Sequence, residues 1–150
     1  MIDMDANRLE CAKRFGATAC IDPGALDAVE QVMALTGGVG VDCAIEAVGV
    51  PATFELCQQL VAPGGTIANI GVHGASASLF LDKLWDRNVA ITTRLVDTVS
   101  TPMLLKTVCA GRIDPTRLIT HRFSFDDVLK AYETFSNAAR THALKVIIEM

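Results

Sequence analysis

The chain of 150 residues reads as an α/β fold, an open parallel sheet with helices on its faces. Two observations predict it. Apolar strand-like runs alternate with segments of helical periodicity through the first half. Glycines also close two of those runs, at Val48-Gly49-Val50 and Ile70-Gly71-Val72, the strand ends where open parallel sheets place their ligand crevice. A hydrophobic fraction of 51% suffices for one cored domain or parts of two.

The elements follow in order. Asp3 stands at a strand tip. Leu9, Ala12 and Phe15, at three-residue intervals, mark a helix that stops at Gly16. Residues 18–21 are a predicted strand, closed by Asp22-Pro23-Gly24. Residues 25–36 are predicted as a helix with Leu26, Val29, Val32 and Met33 on one face, and Gly37-Gly38 as its stop. Residues 41–48 form a mostly apolar run, expected of a strand covered on both faces. Pro51 opens a helix to residue 62 that buries Phe54, Cys57, Leu60 and Val61; Pro63-Gly64-Gly65 ends it, and residues 66–72 are the next buried strand.

Beyond Gly74 the texture changes. An edge strand is predicted over 78–81, a helical turn over 82–88 and a strand over 89–95. Ser100-Thr101-Pro102 starts a helix running through Leu104, Leu105 and Val108 to Gly111. Residues 118–123 are extended. Ser124-Phe125-Asp126-Asp127 has the pattern of a capping box with Asp in place of Glu, opening a helix through Val128, Leu129, Tyr132 and Phe135. Residues 144–148 are a closing strand.

Charge and composition narrow the function classes. A net charge of −4 and a pI of about 5.3 lend no support to nucleic-acid binding. No apolar run suits a membrane span and no signal peptide is evident, so a cytoplasmic protein is expected. The cysteines Cys11, Cys20, Cys43, Cys57 and Cys109 form no Cys-x-x-Cys pair and stand at no ligand spacing from a histidine. They read as reduced core residues, with disulfides or a metal as the alternative.

An acidic side chain at a strand tip before a helix, as at Asp3, suits the two hydroxyls of an adenosine ribose and repels a 2′-phosphate. Asp5 is the alternative ligand, and simple helix capping the third reading. Such an aspartate ordinarily follows a glycine-rich phosphate loop by about 20 residues. Only two residues precede Asp3, so the chain reads as a nucleotide-binding domain entered part-way. Gly37-Gly38-Val39-Gly40 precedes a strand and is a turn. Gly49 and Gly71 end strands and let backbone approach a cofactor, unless they are ordinary strand-to-loop turns. His73, His121 and His142 share no helix face with a thiol or carboxylate at metal-ligand spacing and read as structural or surface residues. No nucleophile elbow or Ser/His/Asp arrangement is visible.

Taken together, these segments resemble the zinc-dependent alcohol dehydrogenases of the medium-chain dehydrogenase/reductase superfamily, over nearly the whole chain. The matching motifs are Asp3-(x)4-Arg8-Leu9-(x)2-Ala12-Lys13-(x)2-Gly16-Ala17-Thr18, Gly40-Val41-Asp42-(x)3-Glu46-(x)2-Gly49 and Pro63-Gly64-Gly65-(x)4-Ile70-Gly71. Further along come Asp114-Pro115-(x)2-Leu118-Ile119-Thr120-His121-(x)2-Phe123 and Ala143-Leu144-Lys145-Val146. The resemblance implies an incomplete Rossmann-type sheet over residues 1–95, followed by the carboxyl-terminal part of the catalytic domain over residues 96–150.

It also implies roles. Asp3 holds the adenosine ribose and selects NAD over NADP, with Arg8 beside ribose and adenine. Val48 and Gly49 line the adenosine side, and Gly71 and Val72 pass under the nicotinamide ribose. Thr93 and Leu95 fall near the nicotinamide. Lys145, otherwise a surface lysine, reaches the pyrophosphate. In the family a catalytic zinc polarises the alcohol oxygen, and its ligands lie in amino-terminal segments that this sequence does not contain. No metal ligand and no catalytic residue is therefore assigned here; with zinc ligands and phosphate loop both lacking, the chain alone is expected to be inactive, to bind no zinc, and to bind NAD weakly or not at all.

The strands lacking from the 3-2-1-4-5-6 order lie between those at 18–21 and 41–48. The edge of the latter is thus expected to pair with a second copy, or to receive the strand at 18–21. The leading expectation is part of an NAD-dependent enzyme oxidising an alcohol to an aldehyde or ketone. Its alternatives are a zinc-free quinone or enoyl reductase relative and a non-catalytic, self-associating truncated product.

Overall fold

A computed structural model describes residues 1–25, 27–95 and 98–150. The chain divides into two compact units, Pro23–Val96, and Met1–Asp22 together with Asp97–Met150.

The unit Pro23–Val96 carries three parallel strands in the order β1 (Val41–Glu46), β2 (Val61–Asn69), β3 (Ala90–Thr93). Before them comes α2 (Ala28–Leu35), while α1 (Ala6–Arg14) belongs to the other unit. Helix α2 begins three residues later than its periodicity suggests, because the Asp27 carboxylate accepts the Val29 and Glu30 backbone N–H groups and caps it there. Leu26, expected on its apolar face, lies outside the described residues. Helix α3 (Pro51–Leu60) connects β1 to β2 and starts on Pro51, whose lack of an N–H costs nothing in a first turn.

The helix hands over to β2 at Val61, earlier than expected. Val61 pairs with Val41 and Thr66 with Cys43, so Pro63-Gly64-Gly65 is looped out inside the strand and does not precede it. The core on one face joins Ala44, Cys57, Val61, Ile67 and Leu84, with Val41, Phe54 and Val89 packed against it.

The expectation of burial on both faces is overturned. Along β1, Ala44 and Glu46 are buried while Cys43 and Ile45 are exposed, Ile45 to 64%, and all of β3 is exposed. Alternation with a period of two is the mark of a sheet covered on one side. Neither does the segment at 78–81 form an edge strand. Gln58, buried on α3, donates its amide to the Ser78 carbonyl at 2.8 Å and accepts the Phe80 N–H at 2.8 Å. A side chain thus supplies the bonds a neighbouring strand would have made, and the short helix α4 (Leu81–Leu84) follows.

In the other unit, α1 (Ala6–Arg14) is capped by Asp5, which accepts from the Asn7 and Arg8 N–H groups. The strand expected at 18–21 is reduced to a single parallel bridge between Ile21 and Ile2. Ile21 therefore does not fill the gap beside β1, which among the described residues pairs on one edge alone.

Helix α5 (Thr101–Cys109) begins where Ser100-Thr101-Pro102 predicts. A 3-10 turn at Pro115–Leu118 leads into β4 (Ile119–Ser124), which pairs in parallel with β5 (Lys145–Glu149). Helix α6 (Val128–Ser136) packs on both strands, and α7 (Ala138–Thr141) follows it. The capping box is not formed. Ser124 makes no cap bond to backbone, Asp127 pairs with Lys130, and a 3-10 turn at Phe125–Asp127 precedes α6. Among the described residues no helix is long and apolar enough to cross a membrane.

All five cysteines are free thiols, but the assignment of all of them to the core is corrected. Cys11 and Cys57 are buried, Cys20 is half-buried, and Cys43 and Cys109 are exposed. Cys43 lies on the uncovered face of β1. Burial, reinforced by the nearby Glu46 carboxylate and Cys43, pushes the Cys57 thiol up to about 11. Alkylation with iodoacetamide at pH 8 should accordingly modify Cys43 and Cys109 first and leave Cys57 intact until the chain unfolds, as read by mass spectrometry with and without urea.

Candidate functional site

Because β1, β2 and β3 run parallel, their carboxyl ends fall on one edge. There Glu46 pairs with Asn69 and Asn69 with Thr93, forming a row across the sheet. Glu46 is 1% exposed, and a buried carboxylate requires partners. Its Oε1 accepts the Val48 N–H at 2.9 Å, the Gly49 N–H at 2.8 Å and the Thr53 hydroxyl at 2.6 Å. The carboxylate thereby ties the end of β1 to the first turn of α3. Its backbone carbonyl also accepts from the Ile70 and Gly71 N–H groups, at 2.8 and 3.1 Å.

Among the described residues Oε2 has no hydrogen-bond partner, but it lies 3.3 Å from Nε2 of His73. That nitrogen is 2.9 Å from Oδ1 of Asn69. Asn69 directs its own N–H toward the Gly71 carbonyl, which orients Oδ1 as acceptor and puts the proton on Nε2. The Phe54 ring stands edge-on to the imidazole, and Nδ1 is buried without a partner among the described residues. Burial acts to raise the Glu46 pKa. The hydrogen bonds from Thr53, Gly49 and Val48, together with the His73 ring, outweigh it and hold the carboxyl below its ordinary value.

Two predicted site residues meet at this point. Gly49 has φ +86°, and a Cβ there would run into the Val72 backbone; a Cβ on Gly71 would strike Glu46 Oε2 and the Gly49 backbone. The two strand ends therefore cross at a distance that only glycine permits. Val48, Ile70 and Val72 lie exposed around the crossing. Thr93 ends β3, and Leu95, 81% exposed, follows it.

Asp3, Arg8 and Lys145 belong to the other unit. Asp3 Oδ1 accepts the Asp5 N–H at 2.9 Å and pairs with the Arg8 guanidinium at 3.0 Å. All these bonds fall on one oxygen, so Oδ2 keeps its acceptor capacity. Lys145 opens β5, exposed, opposite Ile119. Asn69 and Thr53 carry no signal in the sequence, His73 reads there as a structural or surface residue, and Glu46 enters only as one position of a motif. A glutamate closing an apolar strand was the available signal. Among the described residues no group of three or more His, Cys, Asp or Glu side chains could hold a metal ion. The donors present thus do not fit a zinc site.

Replacement of Gly49 by Ala should destabilise the chain by about 2 kcal/mol or more, combining left-handed backbone strain with the clash on Val72, as measured by urea unfolding. Glu46 contributes stability that is complete above its ordinary pKa near 4.5 and is lost as pH falls through its lower folded value. The unfolding midpoint should therefore decline below about pH 4.5 in the native chain and change less with pH in Glu46→Gln.

A family model described as zinc-binding dehydrogenase matches residues 1–107. The alcohol dehydrogenase of Cupriavidus necator is 37% identical over 154 aligned residues, covering 99% of this chain and 41% of that protein. The NADP-dependent isopropanol dehydrogenase of Clostridium beijerinckii is 34% identical, with 82% of this chain and 37% of that protein covered. Among solved structures, the apo form of zinc-dependent alcohol dehydrogenase 2 from Streptococcus pneumonia superposes with a TM-score of 0.94 at 51% identity, over 99% of this chain and 43% of that one. The chain spans about two fifths of the length of these relatives. From this coverage and the parallel α/β fold, the chain belongs to the zinc-binding dehydrogenases and corresponds to the carboxyl-terminal portion of the zinc-dependent alcohol dehydrogenases of the medium-chain superfamily.

Proposed function

We propose that this chain supplies the cofactor side of an NAD-dependent alcohol dehydrogenase, acting within a longer polypeptide to oxidise an alcohol to an aldehyde or ketone. The observation that carries this reading is the crossing of Gly49 and Gly71 at the carboxyl edge of a parallel sheet, where such folds receive dinucleotides. NAD, when bound, accepts the hydride. The residues of this chain bind and orient it. Asp3 offers Oδ2 to a ribose hydroxyl and repels a 2′-phosphate, while Arg8 steadies Asp3 from the other oxygen. Val48 and Gly49 serve the adenosine side, Gly71 and Val72 the nicotinamide ribose. Thr93 and Leu95 serve the nicotinamide, and Lys145 the pyrophosphate.

In this reading residues 1–95 are the Rossmann portion and residues 96–150 the catalytic-domain portion of a cytoplasmic protein. Zinc ligands come from outside this chain, so the chain alone is inactive. A second reading, a non-catalytic self-associating product, draws on the edge of β1 that is unpaired among the described residues. Light scattering should then give a dimer or larger species, and a monomer at all concentrations would sink it.

Calorimetric titration should give NAD binding between micromolar and low-millimolar, tighter than NADP. Asp3→Ser should shift the NAD/NADP preference by about tenfold toward NADP, since the repulsion is removed and Arg8 is released. NADP preferred by the native chain would overturn the cofactor assignment, and binding of neither would overturn the claim that this portion holds the cofactor by itself.

A further inference from the structure

Three arginines line one cleft in the unit that holds α1 and β4. The cleft, of about 450 Å³, is lined by Arg14, Phe15, Arg112, Ile113, Asp114 and Arg117, beside Gly16. Arg117 is fixed in place. Its Nη2 donates to the Arg14 carbonyl, and its guanidinium lies 4.4 Å from the centroid of the Phe15 ring, a cation–π distance. Arg14 sits in the last turn of α1, where a cation complements the helix dipole. Arg112 follows the carboxyl end of α5, its backbone N–H donating to the Thr107 carbonyl at 3.2 Å. Among the described residues the Arg14 and Arg112 side chains enter none of the ion pairs, which involve Arg8, Lys13, His73, Arg122 and Lys130. The one carboxylate in the lining, Asp114, has its Oδ1 occupied by the backbone N–H and hydroxyl of Thr116.

A chain of net charge −4 thus places three arginines in the lining of one cleft against a single carboxylate, Asp114. Cations held together repel one another, and a multivalent oxyanion relieves that repulsion. The planar fork of arginine matches the oxygens of a phosphoryl group bidentately. Phe15 and Ile113 add apolar wall, and the volume is that of a small-molecule site. Asp3 lies before the start of α1 and Arg14 ends it. A nine-residue helix at 1.5 Å per residue separates the two ends by about 13 Å, so the ribose role proposed for Asp3 is not drawn upon here. We propose that this cleft binds the phosphoryl group of a small phosphorylated molecule.

The test is calorimetric titration of the chain with inorganic pyrophosphate, at an ionic strength held constant with chloride. One-to-one saturable binding is expected. Arg112→Gln should weaken it about tenfold, and combined Arg14→Gln and Arg112→Gln should abolish saturation with the circular-dichroism spectrum unchanged. Arg112→Lys, which keeps the charge and loses the fork, should weaken it severalfold and so reads the same contact in a minimally altered chain. Absence of saturable binding, or saturation that survives Arg112→Gln and Arg112→Lys alike, overturns the site. Malonate binding as tightly as pyrophosphate overturns the phosphoryl assignment.

Discussion

The carboxylate of Glu46 is the constraint on which the unit Pro23–Val96 depends. One oxygen gathers the backbone of Val48 and Gly49 and the hydroxyl of Thr53. The residue's carbonyl holds Ile70 and Gly71. A charge in a nearly dry setting is tolerated only when such donors surround it, so the loops after β1 and β2 and the start of α3 must be built together. The His73 ring and Asn69 complete the far side of the same group. The edge of the sheet is ordered by this buried polar network, and the apolar core of Ala44, Val61 and Ile67 lies beneath it.

Within the unit Pro23–Val96 the sheet has one covered face, packed under α3 and α4. The other face, with Cys43 and Ile45, is open, as is one edge of β1. Relatives more than twice as long share this fold closely. The apolar composition of 41–48, which reads as burial on both faces, is suited to that larger context. In this chain alone it leaves aliphatic side chains on the surface.

Much of the architecture was legible because it rests on local chemistry. Pro51, Ser100-Thr101-Pro102 and the glycines at 16 and 37–38 bound helices through effects confined to a few residues. Several of the misreadings involve long-range partners. Nothing local reveals that Gln58 satisfies the backbone of Ser78 and Phe80, and so the 78–81 run looked like a strand. Nothing local tells that the strand at 18–21 shrinks to one bridge, between Ile21 and Ile2. At the site, Gly49 and Gly71 were readable as strand-end glycines, but their mutual crossing was not. It takes the three-dimensional register of β1 on β2 to show that each excludes a side chain from the other. Asn69 and His73 look like ordinary polar residues until that register sets them against Glu46.

The same crossing has a hereditary consequence. Positions 49 and 71 are not independent sites of variation, because a methyl group at either is refused by the backbone of the other loop. A substitution at one could be accommodated only by displacing the neighbouring loop, along with the glutamate clasping both. Changes that tune Val48 or Val72, whose side chains stand free on the surface, need no such accommodation. Variation in descendants of this sequence is therefore channelled to the valines, while the two glycines and Glu46 pass on as a block.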